Sequence, residues 1–171
     1  MQYLSSYQSP LGEIVLFASD EGLSGLWFMG QKYFTRQKEH IYQEIPLFTD
    51  VKRWLDVYFS GKEPNVTLPL HFKGSPFQNE VWEILCQIPY GKTTTYGQIA
   101  KQIAAKRGLS KMSAQAIGGA VGRNEISILV PCHRVIGANG NLTGYAGGID
   151  KKIALLQLEG IDTTQFSKPK G

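Results

Sequence analysis

Thr95-Tyr96-Gly97-Gln98-Ile99-Ala100-Lys101-Gln102-Ile103-Ala104, a loop over 106–112, and then Ser113-Ala114-Gln115-Ala116-Ile117-Gly118-Gly119-Ala120-Val121 set the architecture of the second half of the chain. Thr95 and Ser113 are residues that cap helix N-termini, and Ile99 with Ile103 marks one apolar face at helical spacing. Two helices joined by a short polar turn read as a helix-turn-helix, the second being the recognition helix. That second helix is almost without side-chain bulk. Each of its glycines costs about 1 kcal/mol against alanine, so something has to approach closely. Either another helix packs there, or a nucleic-acid groove wall does, and a bare helix suits a narrow groove better than major-groove base reading.

Upstream, Ser75-Pro76-Phe77-Gln78 is a complete helix start, with a serine cap, proline at the first position and Gln78 placed to close a capping box. Phe77, Val81, Leu85 and Ile88 follow as one stripe, and Cys86 on the same helix reads as a packed, inert thiol. Residues 61–74, with Pro64, Pro69 and Gly74, read as a linker. Before it, apolar runs at 3–7, 13–18 and 23–28 are separated by Gly, Pro, Ser and Asp clusters, which predicts an antiparallel meander of about three strands. A helix over 51–60, capped by Thr49 or Asp50, is expected to cover it. The fold class is therefore α+β in two domains, 1–72 and 73–171, the second being helical with a helix-turn-helix backed or winged by a strand over 126–130.

Composition narrows the function classes. The chain has 171 residues, of which 42% are hydrophobic, enough to build a core. Its apolar runs are far short of the roughly 20 residues a membrane span needs, and its opening lacks the order of a signal peptide. Residues 1–72 carry 6 basic and 8 acidic side chains, a net of −2, whereas 73–171 carry 12 and 6, a net of +6. A basic second half suits a polyanionic partner, although a solvated basic surface gives the same count. Two cysteines and three histidines, with no CxxC or HxxxH spacing, do not make a zinc site, and no cofactor motif is present. A cytoplasmic, monomeric protein with free thiols and no bound metal is expected.

The expected strand runs into Pro131, which lacks a ladder donor, and then into Cys132-His133-Arg134. An unperturbed thiol is only a few per cent thiolate at neutral pH, so a nucleophilic Cys132 needs a base or a cationic neighbour. His133 can reach it only if the backbone bends, or through one water, because adjacent strand side chains point to opposite faces. A carboxylate orienting the imidazole would complete the relay. Cys132 as a structural thiol and His133 as a core histidine remain open alternatives.

Val130-Pro131-Cys132-His133-Arg134-Val135-Ile136, with Asn124 and the small-residue helix before it and Gly144-Tyr145-Ala146-Gly147-Gly148 and Leu158-Glu159-Gly160 after it, resembles the O6-alkylguanine-DNA alkyltransferases. Ser9-Pro10-Leu11-Gly12 and Gly25-Leu26-Trp27-Phe28 resemble the N-terminal domain of the bacterial members, which implies a ribonuclease H-like fold there. The resemblance implies direct-reversal DNA repair, in which a methyl or other alkyl group passes once and irreversibly from O6 of guanine to the protein's own cysteine; O4 of thymine as a second donor is left open. Carried over by position, Cys132 is the acceptor, His133 activates it through a water and Glu159 orients His133. Asn124 ties the recognition helix to the acceptor turn, and Tyr96 presses on the target phosphate and protonates the departing base. Val135, Tyr145, Ala146 and Gly147 build the guanine pocket. Tyr96, Ser113, Ala114, Gln115, Gly118, Gly119, Arg123 and Arg134 face double-stranded DNA.

Two departures stand out. Gln115 stands where relatives carry the arginine that fills the space left by the flipped base, and Arg123 lies too near the helix end to replace it. Ala146 stands where a serine is common, which leaves its backbone N–H as the contact to O6. The relatives' N-terminal zinc ligands find no match. A second reading is a sensor that binds damaged guanine without repairing it, but such relatives lack the acceptor cysteine. A cysteine hydrolase is a third.

Overall fold

The turn residues between the first three strands set how the N-terminal part folds. In the computed structural model, which describes residues 2–30, 40–142 and 144–167, β1 (Gln2–Ser9), β2 (Gly12–Ser19) and β3 (Gly22–Phe28) form the expected meander. Gly22 has φ +144°, and a Cβ there would lie 2.8 Å from the Pro69 carbonyl oxygen, so only glycine fits. A fourth strand, β4 (His40–Tyr42), pairs parallel with β1 and gives the order β3-β2-β1-β4. Three residues are too few to show a period-2 pattern, and the sequence reading missed it. Both faces of β2 are buried, and Leu4, Val15, Phe17 and Trp27 form one cluster of the core.

The covering helix is longer than expected. It is α1 (Pro46–Phe59), with Ile45 as its uncapped N-cap and Pro46 in the first turn, where a missing N–H removes no hydrogen bond. Thr49 and Asp50 therefore lie inside the helix rather than capping it. Phe48, Val51, Leu55 and Tyr58 make its buried stripe, and Tyr7 Oη donates to Asp56 Oδ1 at 2.6 Å. The segment read as a linker also takes part in this core, since Leu68 is buried and Leu70 bridges to Leu23.

The chain divides into Met1–Lys73 with Glu125–Ser127, and Gly74–Asn124 with Ile128–Gly171. The strand expected over 126–130 does not form. Ile126 makes a single bridge to Leu26, inside the first unit, and the chain then turns, with Ile128 at φ +71°. A β-branched residue in that region carries strain of about 1–3 kcal/mol, which the surrounding packing must override. The β-branched run thus followed strand propensity for one residue only.

In the second unit, α2 (Pro76–Leu85) starts with the expected capping box of Ser75 and Gln78. Cys86 lies just past its end and is exposed, not packed. The helix-turn-helix is α3 (Tyr96–Arg107), capped by Thr95, and α4 (Ala114–Gly122), capped by Ser113. Its small sheet comes from β5 (Thr94–Thr95), immediately before α3, pairing parallel with β6 (Val135–Ile136). Trp82, 2% exposed, donates its indole N–H to the Ala120 carbonyl at 2.8 Å and locks α4 onto α2. A final helix, α5 (Ile149–Leu158), closes the core through Leu155 and Leu156.

Candidate functional site

Pro131 cannot donate to a ladder, and the chain responds by turning: Cys132–Arg134 is one 3-10 turn that leads into β6. Cys132 is therefore not on a sheet edge. The turn removes the strand geometry that would have kept Cys132 and His133 on opposite faces. Asn124, 3% exposed just beyond α4, donates Nδ2 to the Val130 carbonyl at 2.9 Å, and its side chain also hydrogen-bonds the Cys132 thiol.

His133 is fully buried, with Nε2 2.6 Å from Glu159 Oε2. Glu159 is the C-cap of α5, and its carboxylate is held from several directions. Gly91 N–H donates to Oε1 at 2.9 Å, Arg134 Nε to Oε1 at 2.8 Å and Arg134 Nη2 to Oε2 at 3.2 Å. Arg134 Nη1 donates to the Ile88 carbonyl at 2.7 Å, and the guanidinium lies over the Tyr90 ring at 5.6 Å. Lys152, 1% exposed on α5, donates Nζ to the Val135 carbonyl at 2.6 Å.

Burial and charge set the protonation states. Burial pushes the Cys132 thiol up, while the Asn124 hydrogen bond and the Lys152 cation pull it back. Burial pushes His133 down, Glu159 opposes that, and Arg134 and Lys152 add to it. Burial alone would raise Glu159, but His133 and then Arg134 hold it at about 2. Burial lowers Lys152 to about 8, with Cys132 pulling it upward. Near neutral pH the site holds a protonated thiol, a neutral imidazole and an ionised carboxylate. Such a thiol reacts as a nucleophile only when its proton is removed, and with Nε2 at Glu159 the other imidazole nitrogen of His133, Nδ1, is turned away from that carboxylate.

The chain's sequence matches two family models: the ribonuclease-like domain of 6-O-methylguanine DNA methyltransferase over residues 2–72, and its DNA binding domain over 76–161. The chain belongs to the 6-O-methylguanine DNA methyltransferase family. It is 43% identical to a methylated-DNA–protein-cysteine methyltransferase of Methanosarcina acetivorans, over 92% of this chain and 98% of that one. It is 36% identical to one of Haemophilus influenzae, over 98% and 94%. A crystal structure of Mycobacterium tuberculosis OGT in complex with DNA superposes with a TM-score of 0.80 at 39% identity, over 96% of this chain and 94% of that one.

Within the second unit the fold brings most of the expected family residues together. A Cβ on Gly144, at φ +75°, would lie 3.1 Å from Tyr96 Oη, and one on Gly118 would lie 3.9 Å from the Tyr96 ring, so Tyr96 joins the loop before α5 to α4. Tyr145 is buried with its ring 6.5 Å from His133, edge to face, while Ala146 and Gly147 are half-buried. Ser113, Ala114, Gln115, Gly119 and Arg123 are exposed on or beside α4.

Arg134 is the correction. Expected to face DNA, it is 8% exposed and engaged with Glu159 and Ile88, because its position in the turn points it inward. The Val135 carbonyl, expected to meet a base, already accepts from Lys152, although a carbonyl has a second lone pair for another donor. Lys152 and Gly91 were missed. One signal for Lys152 was available: it stands seven residues before Glu159, two helical turns, with Leu155 and Leu156 between them on the same buried stripe. Among the described residues no three His, Cys, Asp or Glu side chains group as a metal site, and no helix is long and apolar enough to cross a membrane.

Proposed function

We propose that this chain repairs alkylated DNA by taking the alkyl group from O6 of guanine onto Cys132, one molecule acting once. The observation that carries the reading is the buried Cys132–His133–Glu159 arrangement in a chain that matches both family domains. The Cys132 Sγ–H proton passes through a water to His133. As the new Sγ–C bond forms, the C–O6 bond breaks and its electron pair stays with the guanine, which takes a proton from the Tyr96 phenol. The phenol is then reprotonated from solvent, and the imidazolium returns its proton there. A thioether has no easy hydrolytic exit, which makes the transfer final.

The target base must leave the duplex stack, at a cost of a few kcal/mol, to reach a thiol that is 7% exposed. We assign that work to α4, with residues 1–72 as the ribonuclease-like domain and 73–171 as the DNA-binding and acceptor domain. A Cβ on Gly119 or Gly122 would meet nothing within 4 Å, so those glycines do not serve close packing within the protein; an outside surface is the better explanation. Tyr145, Ala146, Gly147 and the Val135 carbonyl are the proposed guanine contacts. Two free cysteines suit a reducing cytoplasm.

The test is to mix the protein with a duplex containing O6-methylguanine and weigh the intact protein. A gain of one methylene unit mapped to Cys132 is expected. Tight binding with unchanged mass would instead mark a non-repairing sensor, and repeated turnover a hydrolase.

A further inference from the structure

Glu159 Oε2 is shared. His133 Nε2 lies 2.6 Å from it and Arg134 Nη2 donates to it at 3.2 Å, while Arg134 Nε takes Oε1 at 2.8 Å. A carboxylate paired with an imidazole alone draws that imidazole toward its protonated form, and an imidazolium cannot accept a thiol proton. A guanidinium keeps its charge at any working pH and matches a carboxylate two-pronged. Burial is the larger force against a charged His133, and on the same carboxylate the guanidinium adds to it by offsetting the field of Glu159.

We infer that Arg134 is a positioning residue whose ionic grip on Glu159 keeps His133 neutral, and hence able to act as the base for the Cys132 thiol. The inference deepens the proposed alkyl transfer and rests on it for its kinetic consequence. Among the described residues, the charged and titratable groups that act on or pack against His133 include Glu159 at the end of α5, Lys152 on α5, Tyr145 from the loop before it and Arg134 from its own turn, which Cys132 opens. Of these, Glu159 favours the imidazolium, whereas Arg134 and Lys152 oppose it. The guanidinium is itself fixed, since its Nη1 donates to the Ile88 carbonyl at 2.7 Å. A side chain so engaged is unavailable to a phosphate, which leaves its role inside the site.

Arg134→Met removes the charge and keeps an unbranched apolar side chain, and Arg134→Lys keeps the charge without the two-pronged contact. The test measures single-turnover methyl transfer from an O6-methylguanine duplex from about pH 5 to about pH 9, and follows the His133 imidazole by NMR over the same range. In Arg134→Met the acid limb should move up by about one pH unit, so that the pH 8 to pH 6 rate ratio grows about twofold to sixfold. Arg134→Lys should fall between that variant and wild type. A merely structural role would lower the rate equally at every pH, and an unmoved acid limb in both variants overturns the inference. Should Arg134→Met not fold, Arg134→Lys and the wild-type imidazole decide: a His133 that titrates at the ordinary histidine value in the wild type also overturns it. If the wild-type protein takes up no methyl group while the imidazole titration moves as expected, the alkyl-transfer reading fails and the assignment of Arg134 stands.

Discussion

The acceptor turn and α4 lie in one unit and are built on opposite principles. At the turn, Cys132, His133 and Arg134 are all buried, and the polar atoms of Arg134 and Glu159 meet specific partners. On α4, Ala114, Gln115, Ala116 and Gly119 are exposed and carry little side chain. Reaction chemistry needs fixed dipoles in a dry surrounding, where a misplaced group costs most. The proposed close approach to a groove needs the absence of side chains, and the glycines of the helix give up propensity. Asn124 stands between the two, leaving α4 and bonding the backbone that leads into the turn.

The comparison breaks most completely at the sulfur. Cys132→Ser should abolish methyl uptake by intact mass while retaining affinity for damaged duplex in a gel-shift titration; methyl uptake by that variant would refute the acceptor assignment. Glu159→Gln is next. It removes the charge that orients His133, and the single-turnover rate should fall about 100-fold, the lower range for a positioned base. The same variant has a stability signature. Glu159 is held at about 2 in the fold against an ordinary value of 4.5, so its contribution is fully present above 4.5 and is lost as pH falls through about 2. Chemical denaturation of the wild type should show that loss across the window, and Glu159→Gln should lack this part of the slope.

How far these regions were legible in the sequence follows the same division. The caps Ser75, Thr95 and Ser113 announced α2, α3 and α4, because a side-chain oxygen three residues before a backbone N–H is a local matter. The residues around Cys132 were recognised, yet their secondary structure was misread, since the run 126–130 has strand propensity and its turn at Ile128 is imposed by the rest of the fold. Arg134 was misassigned for a related reason. A charge in a basic half reads as surface until a buried carboxylate 25 positions away is placed beside it. Lys152 was hidden the same way, and the three-residue β4 was too short for any periodicity.

The helix side of the comparison predicts smaller effects, on affinity rather than chemistry. Gly119→Leu fills space that is open in the protein, so the variant should be more stable by up to about 1 kcal/mol through helix propensity. If a groove wall lies there, affinity for duplex should nonetheless fall about tenfold, a loss of about 1.4 kcal/mol. The reaction of Cys132 with a small alkylating reagent should not change. A more stable variant with undiminished DNA affinity would mean that α4 is bare for some other reason.

The mildest substitution tests the same face in the other direction. Gln115 is exposed near the start of α4, and in the proposed contact with DNA it lacks the charge and the stacking plane of a guanidinium. Gln115→Arg should tighten binding about threefold to tenfold at low salt, and the advantage should shrink as salt rises, because one added phosphate-facing cation steepens the salt dependence by about one counterion. Parallel salt titrations of the two proteins measure this. Equal slopes with equal affinities would remove residue 115 from the DNA-facing set.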